Sequence, residues 1–311
     1  MVKILKKLTL ALAALLLAGG LQAAGPLEYA PALAVEQPPR ETGQTSETAA
    51  PAQKHQTAGS LEEAVQALIR ELSAQEGFES WAKAEWTSYP LGPGTHGWVV
   101  LLKTDGVEAG YLVIQDAGAG RYLLSEYGRG EYPLFSLQTL HHSLVRLDLI
   151  PSDTHAERLY YNPLEALWQI TAPGGPVRYL DAKTGEELPL HPGEVPHKEL
   201  PAGEGISYQT GSPAPKPEHL IGGSPFDAYE RLPWVTSPPA SPPSPAQLGE
   251  WLKQGSRPIY AAEVYGGRHL IPLAVTGLAV WSGGTAYVRA LQDDDRYLPL
   301  GALHHLGGFY P

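Results

Sequence analysis

The chain has 311 residues, no cysteine, and 33 acidic against 22 basic side chains, for a formal net charge of -11. The lack of thiols excludes disulfides and thiol catalysis, and the negative charge argues against a nucleic-acid partner. Seven tryptophans and 16 tyrosines against four phenylalanines supply large apolar side chains with a polar atom, a set suited to half-wet interfaces as well as to a core.

In chain order, Lys3, Lys6 and Lys7 precede an apolar run from Leu8 to Ala18, with small residues Gly19, Gly20, Ala23 and Ala24 beyond it. This is the pattern of a secretory signal peptide over residues 1–23. The run is too short for the ~20 residues of a bilayer-spanning helix, so no membrane span is expected. Residues 24–59, built from Ala, Pro, Gln, Thr and Glu, lack the apolar surface to offset ordering entropy and read as a disordered spacer. The expected location is secreted, extracellular or cell-wall associated.

Residues 60–190 read as an α+β domain with an antiparallel sheet packed on helices. Ser60 is an N-cap with Glu63 as its capping-box partner, before Leu61, Val65, Leu68, Ile69 and Leu72 at helical spacing, and Gly77 ends that helix. Strands are expected over Trp81 to Tyr89, Gly97 to Thr104, Ala109 to Gln115 and Arg121 to Tyr127, with Asp105-Gly106 as a two-residue hairpin turn. A helix follows from Ser136 to about Leu147, then two strands around Arg158 to Thr171 and Pro176 to Asp181.

Residues 191–244 are expected to form an irregular coil, because 14 of the chain's 30 prolines fall between Pro189 and Pro245 and proline has no amide hydrogen to donate. Phe226, Tyr229 and Trp234 stand within this coil at a density that flexible linkers lack, and they form the candidate interface. Residues 245–311 read as a β-rich block with its own sheet. It opens with a helix capped by Ser244 with Pro245 at its first position. Strands follow at Ile259 to Val264, His269 to Val280 and Thr285 to Ala290, then a helical turn near Leu300 to Leu306.

Two segments resemble known families. Val177-Arg178-Tyr179-Leu180-Asp181-Ala182-Lys183-Thr184-Gly185-Glu186 resembles the closing strand and turn of PepSY-type propeptide modules, and Gly110-Tyr111-Leu112-Val113-Ile114 with Tyr127-Gly128 is similar in style to propeptide-like domains of secreted cysteine peptidases. Such modules bind a peptidase or the cell envelope and perform no chemistry. Leu248 to Leu303 resembles the C-terminal half of bacterial C39-like, papain-type domains, in which His269 stands at the position of the general base. The resemblance implies a vestigial base, since the nucleophilic cysteine is missing and Arg289 and Ala290 occupy the place of the orienting acid.

Other constellations are weaker. The pairs His141-His142 and His304-His305 put adjacent rings about 100° apart on a helix, which does not present both to one ion. Asp293-Asp294-Asp295 lacks the spacing of a calcium loop, and no nucleophile elbow or zinc motif occurs. No catalytic residue, metal site or cofactor is therefore assigned. The expected function is non-catalytic protein binding or peptidase regulation, with a protein partner or extracellular peptidase, and the alternative is a cell-envelope hydrolase using carboxylates or His269.

Overall fold

The computed structural model describes residues 60–92, 96–149, 153–195 and 204–311, all within one compact unit. The signal peptide and the spacer expected over 1–59 lie outside the described residues. The fold is α+β: an 11-stranded antiparallel sheet, a second sheet of four strands, and five helices. No helix among the described residues is long and apolar enough to cross a membrane.

Helix α1 (Leu61–Ser73) begins where the Ser60 hydroxyl accepts from the Glu63 amide. The Glu63 carboxylate does not return to Ser60 to close a capping box. It accepts instead from the Gly211 amide at 2.7 Å and the Tyr208 hydroxyl at 3.4 Å, tying the proline-rich segment to the helix. After Gly77, at φ +83°, the chain makes a 3-10 turn over Glu79–Lys83 in place of the first half of the expected strand. Burial of Trp81, whose indole N–H donates to the Ala109 carbonyl at 3.1 Å, holds that turn against the sheet.

Four strands then form a meander: β1 (Glu85–Pro90), β2 (Gly97–Thr104), β3 (Val107–Asp116) and β4 (Arg121–Arg129). Asp105 and Gly106 both take positive φ, as the tight turn between β2 and β3 requires. Helix α2 (Leu137–Arg146), capped by Ser136, buries Leu140 and Leu144. The single strand expected from Arg158 to Thr171 is a hairpin, β5 (His155–Asn162) and β6 (Glu165–Thr171). Asn162-Pro163 breaks it, and the Asn162 side-chain oxygen accepts from the amides of Leu164 and Glu165. Strands β7 (Arg178–Asp181) and β8 (Glu187–Leu188) complete the smaller sheet in the order β5-β6-β7-β8.

The proline-rich stretch is more regular than its composition suggests. It contains β9 (Ile206–Gln209), paired to β4, and β10 (Pro217–Gly222), paired to the later strand over His269–Trp281, before the short helix α3 (Pro233–Thr236). Both strands use proline-free windows apart from Pro217, which opens β10 where a missing ladder donor is tolerated.

The last block supplies α4 (Pro245–Lys253), β11 (Ile259–Val264), β12 (His269–Trp281), β13 (Ala286–Gln292), β14 (Asp294–Pro299), α5 (Leu300–Leu306) and β15 (Gly308–Tyr310). It therefore repeats the plan of the first, a helix followed by a four-stranded antiparallel meander. The expectation of a separate sheet in each block is overturned here. The last strands of the two meanders pair with each other, Tyr127 opposite Tyr297 and Gly128 opposite Arg296, and the order β1-β2-β3-β4-β14-β13-β12-β11-β15 runs unbroken through both.

Two features of this joint explain it. A Cβ at Gly128 would lie 2.4 Å from the Tyr111 ring and 2.8 Å from the Asp295 carbonyl, so a side chain there would hold the strands apart. Aromatic rings then fill the seam: Tyr127 stacks on Tyr297 at 4.5 Å and meets the edges of Tyr287 and Trp281 at 5.2 and 5.9 Å. Helix α1 packs over the same core with Val100, Leu102, Leu112 and Ile114. On the smaller sheet, Trp168, Ile170 and Leu180 pack with β2, β3 and α2, while Leu167 and Tyr179 join the core of the C-terminal half.

Candidate functional site

The joint between the two halves encloses a charged cluster. Glu126 on β4 is 0 % exposed and Arg296 on β14 is 2 % exposed, with 2.9 Å between Nη2 and Oε2. Arg296 also donates to the Pro163 carbonyl at 2.6 Å, the Gln292 side-chain oxygen at 2.7 Å and the Tyr111 hydroxyl at 3.2 Å. Oε1 of Glu126 and the Tyr160 hydroxyl have no hydrogen-bond partner among the described residues. Beside this pair Lys183, also 2 % exposed, donates to the Tyr132 carbonyl and lies 3.7 Å from Oδ2 of Asp294. Arg129 pairs with Asp295 at 2.8 Å.

Burial pushes the Glu126 carboxyl up to about 7 against the opposing pull of Arg296, and burial lowers the Lys183 ammonium to about 8 against the pull of Asp294. Strongly perturbed groups mark active sites when they line a cleft. Here they are walled in, and the arrangement pins β4, β14 and the smaller sheet together.

The raised Glu126 value fixes a pH dependence. Between its ordinary value of 4.5 and about 7, the folded chain holds a proton that the unfolded chain has released. The contribution of this group to stability is thus full below about 4.5 and is lost as pH rises through about 7. Urea denaturation of the wild type and Glu126→Gln at pH 5, 6, 7 and 8 should show the stability of the wild type, relative to the variant, falling across that window. A difference that grows with pH would contradict the assignment.

The three candidate interface residues divide. Phe226 is only 8 % exposed and packs with Ile259 and Ala274, its ring 5.2 Å from the Arg257 guanidinium, so it is an anchor rather than a contact surface. Trp234 is partly buried on the same cluster. Tyr229 is 61 % exposed and meets the Trp234 ring edge-on at 6.1 Å. Leu232 and Val235, a few residues further along the chain, are 48 % and 70 % exposed, and the sequence reading did not single them out. Their signal was present in Leu232-Pro233-Trp234-Val235, an apolar run beside a helix-starting proline.

His269 opens β12 opposite Val264, half-buried, with no hydrogen bond to its ring among the described residues. Arg289, at the place of the expected acid, donates through Nε to the Thr276 hydroxyl at 3.1 Å and through Nη2 to the Gly223 carbonyl at 3.1 Å. That guanidinium clamps a bulge in β12 to the chain leaving β10. His304 contacts the Pro243 carbonyl at 3.0 Å and is not joined to His269, while the rings of His141 and His142 are 6.2 Å apart. No group of three or more His, Asp or Glu side chains able to hold a metal occurs among the described residues.

A groove of about 650 Å³ runs between β10 and α4, with Ile221, Leu278 and Val280 among its lining residues. A second hollow of about 300 Å³, lined in part by Glu204 and His304, adjoins it at Pro245. Comparison with protein-family models, curated proteins and solved structures finds no match to this chain.

Proposed function

We propose that this chain is an exported, non-catalytic protein that works by binding another protein, in the manner its resemblance to propeptide modules implies, with an extracellular peptidase as the expected class of partner. The observation that carries the reading is the exposure of Tyr229, Leu232 and Val235. Three large side chains bare apolar surface within residues 229–235, on a segment that Phe226 and Trp234 fasten to the core, and grouped exposure of this kind marks interaction surfaces. The charged cluster gives the complementary support, because Glu126, Arg296 and Lys183 are enclosed in the joint and offer no substrate a way in.

A photo-crosslinking side chain placed at Val235 should capture one discrete protein from the culture supernatant of the producing cells, and Trp234→Ala should abolish the capture by loosening the patch. The purified protein should hydrolyse neither casein nor peptidoglycan, and His269→Ala should leave that unchanged. Turnover by the wild type that disappears in His269→Ala would replace this reading with the cell-envelope hydrolase.

A further inference from the structure

Strand β10 forms a ladder with β12 along one edge, and no strand among the described residues pairs with its other edge. In an antiparallel ladder every second residue turns its amide and carbonyl away from the partner strand, so this free edge presents a row of backbone donors and acceptors. It does so beside the groove described above. The groove has an apolar floor from Ile221, Leu278 and Val280, and α4 forms its far wall. Gly249 lets that wall come close, since a Cβ there would stand 2.9 Å from Cδ1 of Ile221.

We infer that this edge and groove bind an extended, cationic segment of a partner protein as an added β-strand. The inference rests on the protein-binding reading and adds the chemistry of what is bound. A row of unpaired backbone groups is satisfied by an extended chain. Alternate side chains of that chain point one way into the apolar floor and the other way toward the rim. The charge of the rim selects the sign. Glu250 is already paired with Lys253 at 3.1 Å, whereas Glu218 in the groove and Glu204 in the adjoining hollow have no ion-pair partner among the described residues. A second copy of this chain is disfavoured as the occupant, because it would bring the same acids and a net charge of -11 to the contact.

The probe is a fluorescein-labelled hexapeptide alternating lysine and valine, with a counterpart carrying glutamate in place of lysine. Fluorescence anisotropy should show saturable binding of the lysine peptide that weakens with salt, and none of the glutamate peptide. Hydrogen exchange should slow at residues 218–222 in the complex. Ala246→Trp, at an exposed position on the groove wall, and Glu218→Lys should each weaken binding at least tenfold. Val107→Asp, at an exposed position outside the groove, should leave the affinity unchanged, so that loss at the groove is told apart from a general loss of the fold. The proposal is overturned if the lysine peptide fails to bind or leaves 218–222 unprotected, if Ala246→Trp binds it as the wild type does, or if sedimentation shows a dimer that Glu218→Lys dissolves. If crosslinking at Val235 still captures its partner, such a result removes the groove and spares the protein-binding function.

Discussion

Arg296→Met should destabilise the folded protein by about 3–5 kcal/mol, the usual consequence of removing one member of a buried ion pair and leaving the other charge uncompensated. Arg296 donates to four acceptors on separate parts of the chain: Glu126, Pro163, Gln292 and Tyr111. Methionine fills much of the same volume but satisfies none of them. Glu126 already has one oxygen without a partner among the described residues, and losing the cation would leave only Lys183 to oppose the rise that burial causes in its pKa. The loss should accordingly be larger at pH 8 than at pH 5. Adding Glu126→Leu to the Arg296→Met protein should recover most of the stability, since the pair is then replaced by apolar groups with no charge left behind. Chemical denaturation of the two single variants, the double variant and the wild type tests this as a cycle. A single-variant loss below about 1 kcal/mol, or no recovery in the double variant, would show that the pair does not hold the halves together.

Much of each half was legible because its signals are local. Ser60 and Ser244 each cap a helix as expected, a helix begins at Ser136, and Asp105-Gly106 makes its turn with both residues at positive φ. The joint between the halves was not legible. Pairing of Tyr127 with Tyr297 links residues far apart in the chain, and nothing in the composition of β4 or β14 distinguishes a strand that ends a sheet from one that joins two. The repeated helix-and-meander plan was hidden for a related reason, since the two copies share architecture rather than a sequence period. The proline-rich segment misled in the other direction. Overall proline content hid the short windows, Ile206–Gln209 and Glu218 to Gly222, in which a ladder can still form. At the surface, aromatic density drew attention to the segment around Phe226 but did not tell which of its side chains face water. Whether Phe226 or Val235 faces water depends on where Ile259 and Ala274 lie, which is a property of the fold.

The same replacement at a second buried arginine should have the opposite sign. Arg158 on β5 is 6 % exposed, and its Nε and Nη2 atoms are enclosed without a hydrogen-bond partner among the described residues. Its guanidinium lies 4.1 Å from the ring centre of Tyr89 and 4.6 Å from that of Trp168. Burial lowers it to about 10, outweighing the opposing effect of Tyr89. Two aromatic faces return about 2 kcal/mol or somewhat more to a desolvated cation, whereas enclosing an unpaired charge costs several kcal/mol. Methionine keeps an unbranched, polarisable chain between the two rings and removes the charge. Arg158→Met should therefore stabilise the protein by about 1–2 kcal/mol, raising the melting temperature by roughly 2–4 °C per kcal/mol for a domain of this size. Arg158→Lys should not share the gain, because it retains a buried cation and gives up the planar stack. A melting temperature that falls in Arg158→Met would show that stacking outweighs desolvation at this position. A rise here beside a fall in Arg296→Met would establish that hydrogen-bonded partners, rather than burial itself, decide which buried arginine this fold tolerates.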